Sequence, residues 1–266
     1  MEIYLKMTAI EYCIKYHKGD IPLIISVPHG GTLKIKSIPI RSNGIMGTDK
    51  NTIELALILI KKVKEFYRSI KSPSYVISNI HRSKIDLSRV KSEAYNQDST
   101  FAKELYRFYH KKIKELIKYN LENFNSSLLI DIHGFEKHKR PEGFRDVDLI
   151  LGTNNLKTIL LNNPPRRFWK RNIRGRIIKK FLNLNISIAP GHPMRSEYVL
   201  TGGYITKKYG ASKINDSKTI QIEFSDKIRL YDDELKNIVL STLAETLFDE
   251  INNNIEKNFI HINQKL

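Results

Sequence analysis

His29 stands in Ser26-Val27-Pro28-His29-Gly30-Gly31, and His133 stands in Asp131-Ile132-His133-Gly134. Each histidine follows an apolar run and precedes glycine. That is the place where a strand opens into a loop, and where open α/β sheets bind their ligands. A neutral imidazole is a good ligand for a transition metal. A catalytic zinc takes three protein ligands and keeps a fourth position open. Asp49, close behind the His29 loop, is the expected third ligand. Asp131 competes for that place. Strand alternation puts Asp131 and His133 on one side of their strand, which also suits a carboxylate that holds a ligand imidazole in one tautomer. A lone histidine at a strand end is most simply a hydrogen-bonded structural residue; two of them, each followed by glycine, favour a metal pair.

Glu223 lies in Ile220-Gln221-Ile222-Glu223-Phe224, where Gln221 and Glu223 share one strand face. An acid there could take the proton of a metal-activated water; the plain alternative is an exposed acid on an edge strand. Arg82 and Arg89 flank Asp86. A guanidinium matches a carboxylate two bonds at a time, so one of Arg82 and Arg89 could hold a substrate carboxylate while Asp86 orients the other; the plain alternative is a local surface salt bridge. Gly202-Gly203 permits close approach of a ligand, with Gly203 as the contact, or merely a turn.

Other chemistries find little support. Cys13 is the single cysteine, so neither a disulfide within the chain nor a cysteine metal cluster can form. No G-x-S-x-G elbow and no P-loop pattern occurs. The stretch Arg166 to Lys180 holds eight Lys or Arg, no acid, and Phe168 and Trp169. Such interleaving can contact nucleic acid, but a cationic helix with Phe168, Trp169, Ile173 and Ile177 packed inward is the preferred reading.

The elements needed to position these residues can be read from periodicity. Ile21 to Val27 is a continuous apolar run, typical of a strand covered on both faces. Tyr75 to Ile80, Leu128 to Ile132, Val147 to Leu151, Ile186 to Ala189 and Thr219 to Phe224 are the other expected strands. Apolar residues at helical spacing predict helices from Thr48 or Asp49 to Phe66, with Thr48 as a plausible N-cap, from Ser99 to Phe124, and from Asp232 to about Ile255. Residues 154–182 read as helical but broken at Pro164-Pro165, residues 81–98 as a polar loop, and residues 1–20 as an edge strand or a short cover. The alternation of strands and helices predicts an α/β three-layer sandwich, a mixed and mainly parallel sheet with helices on both faces, in one domain spanning 1–266.

Composition sets the outer bounds. The chain has 266 residues, 41% of them hydrophobic, enough for a sizeable core. Lys+Arg 45 against Asp+Glu 28 gives a net charge of +17, a field that attracts anionic substrates or polyanions. A reduced, cytoplasmic setting is the simplest fit to the cysteine usage. The first twenty residues do not resemble a signal peptide, and no apolar run approaches the ~20 residues needed to span a membrane.

The ordered motifs resemble the N-formylglutamate amidohydrolase family. They are the His29 segment, Arg82…Asp86-Leu87-Ser88-Arg89, Asp131-Ile132-His133-Gly134, Asp148 to Thr153, Gly202-Gly203-Tyr204 through Gly210, Gln221-Ile222-Glu223 and Tyr231 to Glu234. Ser88 stands where that family usually has Asn, and Gly134 where it often has Ser. The resemblance implies a zinc-exopeptidase-like sandwich and hydrolysis of N-formyl-L-glutamate to formate and glutamate. It also implies zinc on His29, Asp49 and His133, Glu223 as catalytic carboxylate, and Arg82, Asp86 and Arg89 around the substrate carboxylate. A related amidase or carboxypeptidase acting on another acidic N-acyl amino acid or peptide is the alternative among enzymes. A nucleic-acid-binding protein on an inactive hydrolase scaffold is the alternative from another class.

Overall fold

The computed structural model describes residues 9–137, 146–162, 165–198 and 200–263; Pro164, one half of the expected helix break, lies outside them. The strands are β1 (Ile14–His17), β2 (Leu23–Val27), β3 (Ser74–Ser78), β4 (Ser127–Phe135), β5 (Leu149–Gly152), β6 (Ile188–Ala189) and β7 (Ser217–Ser225). They form one sheet in the order β1-β3-β2-β4-β7-β5-β6. The central strands β3, β2, β4 and β7 are parallel, while β1 and β5 pair antiparallel with β3 and β7. The sheet is therefore mixed and mainly parallel, as expected. Of the opening segment 1–20, residues 1–8 lie outside the described residues; residues 9–13 form a helical turn and β1 supplies an edge strand.

The helices are α1 (Thr52–Phe66), α2 (Lys91–Ala94), α3 (Thr100–Phe124), α4 (Ile173–Asn183), α5 (Tyr204–Tyr209) and α6 (Asp233–Asn263). α1, α4 and α6 cover one face, where Leu55, Leu59, Ile177, Phe181, Leu240 and Leu243 pack with Leu23, Ile25, Ile130, Ile220 and Ile222. α3 and α5 cover the other, where Leu105, Tyr109, Ile113 and Ile205 pack with Ile24, Val76 and Leu129. Fully burying one such side chain contributes about 1.5–3 kcal/mol. The alternation of β2, β4 and β7 keeps the first face apolar to the strand ends. On the second face the same alternation brings up Ser26, Asp131, His133, Gln221 and Glu223, which the register sets side by side: Ser26 with Asp131, Asp131 with Gln221, and His133 with Glu223.

Three local expectations change. α1 starts at Thr52, later than expected, because Asn51 takes the left-handed conformation (φ 60°) before it. Thr48 is no cap; Asp49 instead closes a turn whose carbonyl accepts from the Thr52 backbone N–H and hydroxyl. The expected 154–182 helix is replaced by a turn through left-handed Asn154, Asn155 and Leu156, a 3-10 segment Arg166–Arg171, and α4. The polar loop 81–98 contains the short α2. The α3 expectation holds to its cap, since the Ser99 hydroxyl accepts from the Ala102 N–H.

Candidate functional site

Parallel strands deliver their C-terminal ends to one edge of the sheet. His133 rides on β4 itself, two residues before its end, and His29 stands two residues beyond β2. The rings meet edge to face with centroids 4.8 Å apart. Asp49 lies between them, its Oδ2 3.5 Å from His29 Nδ1 and 3.5 Å from His133 Nδ1. Among the described residues, His29, Asp49 and His133 form a group whose ligand atoms all lie within 4.8 Å of one another, and all three are buried.

The opposite ring nitrogens are engaged elsewhere. His133 Nε2 donates to Asp131 Oδ2 at 2.9 Å, and the Ser26 hydroxyl donates to the other Asp131 oxygen. His29 Nε2 donates to Asp86 Oδ1 at 2.7 Å. Both imidazoles are thereby held with a proton on Nε2 and with Nδ1 turned to Asp49. Asp49 is itself fixed: Oδ2 accepts from the Gly134 N–H at 3.1 Å, Oδ1 lies 3.5 Å from Arg82 Nη1, and its backbone N–H donates to the His29 carbonyl at 3.0 Å.

The donor set fits a divalent metal. His29 Nδ1 is buried and has no hydrogen-bond partner, so a lone pair in the interior lacks its acceptor role. A tetrahedral site with bonds of ~2.0–2.1 Å separates its ligand atoms by about 3.4 Å, close to the two 3.5 Å separations at Asp49. Two imidazoles and a carboxylate suit zinc among several divalent ions. Electrostatics agree. Burial works against the charge of His133, but Asp131, Asp49 and Glu223 outweigh it and hold the imidazole pKa well above its ordinary value. Burial would raise Asp49, yet His133 and His29 hold that carboxyl below the usual range. The cluster attracts positive charge.

Glu223 sits beside His133 on β7, buried, with Oε1 accepting from Gln221 Nε2 at 2.6 Å. Burial, with Asp49 nearby, pushes its pKa above the ordinary glutamate value even though His133 opposes this. It is therefore no exposed edge acid. Gln221 turns its Oε1 to the Gly203 N–H at 2.5 Å. A Cβ on Gly203 would come within 2.9 Å of Ser88 Oγ and 3.0 Å of Gln221 Oε1, so the backbone there must lie close against both. Gly202 is left-handed (φ 104°).

The arginine cluster reaches further into the site than its sequence spacing shows. Asp86 is completely buried and faces His29, where it mirrors Asp131. Arg82 Nε donates to Asp86 Oδ2 at 3.0 Å, so Arg82 spans Asp86 and Asp49. Burial would raise Asp86, but His29 and Arg82 hold it below its ordinary value. Arg89 is the accessible member: its side chain is 46% exposed and reaches Asp86 only at 3.9 Å. Arg41 and Arg229 were not anticipated. Arg41 is buried, donates to the carbonyls of Arg82, Asn43, Glu93 and Ile45, and lies 3.7 Å from Asp86. Arg41 gathers carbonyls both near in the chain, on Asn43 and Ile45, and distant, on Arg82 and Glu93, and no motif around it or around Arg229 marks such a role.

The basic stretch packs as preferred except at Phe168. Trp169, Ile173, Ile177 and Phe181 are buried. Arg174 is fully buried on Glu197 at 3.1 Å, Arg176 pairs with Glu250, and Lys180 reaches Asp249 at 3.0 Å. Phe168 is half-buried, with the Arg167 and Arg171 guanidinium groups over its ring at 5.0 Å each. Cys13 is a buried free thiol. Among the described residues, no helix is long and apolar enough to cross a membrane.

The chain matches no family model and no curated protein. Among solved structures it is similar to the N-formylglutamate amidohydrolase from Ralstonia eutropha JMP134, with a TM-score of 0.62 and 13% identity over 91% of this chain and 99% of that one. It is also similar to a gene product from Agrobacterium tumefaciens, with a TM-score of 0.59 and 12% identity over 94% and 97% of the two chains. At such identities the likeness is one of fold, and the fold is an α/β sandwich that also carries a hydrolase.

Proposed function

We propose that this chain is a single-domain, zinc-dependent amidohydrolase that cleaves a small acidic N-acyl amino acid, with N-formyl-L-glutamate as the leading substrate. The observation that carries the reading is the convergence of His29 Nδ1, His133 Nδ1 and Asp49 Oδ2 beside the buried Glu223. In this reading His29, Asp49 and His133 hold the metal, while Asp86 and Asp131 hold the two imidazoles. When bound, zinc supplies Lewis acidity that polarises a carbonyl and brings the pKa of water towards ~7.

The chain's own residues do the rest. Glu223 accepts a proton at its carboxylate from the attacking water and returns it to the departing amine. The water oxygen bonds to the acyl carbon, the C–N bond breaks, and formate and a free amino acid result. Arg89, exposed at the edge of the cluster, pairs with the anionic end of the substrate. Arg82 contributes charge there while fixing Asp86 and Asp49. Gly203, packed against Ser88 and Gln221, is the backbone contact proposed for the substrate. A reducing, cytoplasmic setting accords with the free Cys13 thiol.

Metal analysis of the purified protein, with turnover measured on a panel of N-acyl amino acids, tests the reading. About one equivalent of zinc, lost in His29→Ala and in His133→Ala, is expected. Glu223→Gln should keep the metal and lose turnover by about 100- to 10,000-fold. Faster turnover of another acyl amino acid replaces the leading substrate. A metal-free protein that binds RNA with a steep salt dependence overturns the hydrolase reading.

A further inference from the structure

Arg229 is 2% exposed and follows β7 in a π-helical turn, Lys227–Tyr231. Such turns are rare and recur at functional sites. Its three guanidinium nitrogens go to three different segments. Nε donates to the Phe224 carbonyl at 3.0 Å, Nη2 donates to the Phe135 carbonyl at 3.0 Å, and Nη1 donates to the Lys50 carbonyl. The Arg229 carbonyl in turn accepts from Asn51 Nδ2 at 3.4 Å. Each of the three acceptors is a near neighbour of one site residue: Phe224 follows Glu223, Lys50 follows Asp49, and Phe135 lies two residues beyond His133.

The guanidinium lies close against Gly134. A Cβ built there would stand 2.6 Å from Cζ and nearer still to Nε, so only glycine leaves room. Gly134 is also the residue whose N–H donates to Asp49 Oδ2. One side chain therefore ties together the backbone that carries Asp49, His133 and Glu223, through a fork whose planar donors are fixed relative to one another. None of these segments is sequence-adjacent to another, and the bridges of the loop that bears Asp49 lie at Gly31 and Leu33, well before Asp49 itself.

We propose that Arg229 is the positioning residue of the site: it sets the Asp49 loop against the ends of β4 and β7, so that Asp49 meets His29 and His133 in register. The proposal rests on the metal-site reading above. It assigns Arg229 no contact with substrate or metal.

The test compares zinc affinity, by titration of metal-stripped protein against a chromophoric chelator, in wild type, Arg229→Met and Arg229→Lys, with Gly134→Ala made in the wild-type and Arg229→Met backgrounds. Losing a partner that orients metal ligands typically costs 10- to 100-fold in affinity, and Arg229→Met is expected to lose that much with its far-UV circular dichroism retained. Arg229→Lys should recover little, because an ammonium on a flexible stem cannot span three fixed carbonyls. Gly134→Ala should weaken zinc in the wild type. It should cost much less in the Arg229→Met background, where the side chain against it is shorter and unbranched.

Zinc affinity within twofold of wild type in folded Arg229→Met, or equal Gly134→Ala losses in both backgrounds, overturns the proposal. Amide exchange at Gly134 gives a readout without metal. It should accelerate about tenfold in Arg229→Met or Arg229→Lys, while the amides of β2 do not change. A wild type that takes up no zinc defeats the metal reading, and the clamp is then decided by the Gly134 amide alone. Unchanged exchange there overturns it.

Discussion

His29 and His133 offer the same nitrogen to Asp49, but they are supported in different ways. His133 sits within β4 and donates to Asp131, two residues back on the same strand, and Asp131 is pinned by Ser26 on the neighbouring β2. Every member of that half belongs to a paired strand of the sheet centre. His29 lies on the loop after β2 and donates to Asp86, 57 residues away in a segment outside the named strands and helices. Asp86 is in turn gripped by Arg82, with Arg41 and Arg89 at 3.7 and 3.9 Å. Backbone ladders position the strand half. The loop half has only isolated backbone bridges, Gly31 to His81, Leu33 to Ile80 and Ile85 to Tyr95, and a buried charge network adds to them.

That difference can be broken by experiment. Asp86→Asn should have the largest effect. It leaves Arg82 without its closest carboxylate, and breaking a buried pair costs about 3–5 kcal/mol. Denaturant unfolding should register that loss together with failed zinc binding. Asp131→Asn should weaken zinc about 10- to 100-fold with a smaller loss of stability, since the sheet holds its surroundings. Equal destabilisation by the two substitutions would remove the distinction between the halves.

The pH dependence of the metal-stripped protein sharpens the same contrast. Asp86 has a folded pKa below its ordinary value, about 3.9 in an unfolded chain. The unfolded state binds more protons in that window, so the stability from Asp86 is present above about pH 4 and is lost as pH falls through its folded pKa. Glu223 has the opposite sign. Its folded pKa is raised, so its contribution is present below about pH 4.3 and is lost as pH rises through the folded value. Urea midpoints across about pH 2–7 should fall on the acid side in wild type, and that fall should be shallower in Asp86→Asn.

Two smaller effects bound the comparison. Ser26→Ala removes one buried hydrogen bond to Asp131, worth about 1 kcal/mol, and should lower zinc affinity only a few-fold. Arg89→Ala removes a half-exposed side chain with long contacts. Stability should stay within about 0.5 kcal/mol, while KM for an anionic substrate rises and kcat changes little. A large loss of kcat would move Arg89 from substrate anchoring into the catalytic apparatus.

The strand half was legible in the sequence because it is local. Asp131 and His133 are two residues apart in an apolar run, and a strand period of two puts them on one face. Gln221 and Glu223 repeat that spacing on β7. Asp49 was within reach as the acid nearest the His29 loop, although the helix expected to start on it begins at Thr52, after left-handed Asn51. The additional contact of Asp86 with His29 was not legible, for the converse reason. Arg82-x-x-x-Asp86-x-x-Arg89 reads as a self-contained charge cluster, and only the approach of the β2 loop turns Asp86 to His29.

By itself the sequence determined the two periodicities, and with them the layered sheet, its apolar face and the strand-borne acids and histidine. It could do so because hydrogen-bond ladders and alternation act over a few residues. The tertiary structure decided what reaches across the sheet edge: Asp86 beneath His29, Arg82 between two carboxylates, and Arg229 against Gly134 with its fork on three carbonyls. Apart from the local Arg82–Asp86 pair and the Arg229–Phe224 contact, the partners of these buried charges lie in separate segments, as far as 179 residues away in the chain. No local pattern encodes such a partner, because the cost of burying the charge is met only when the whole edge has assembled.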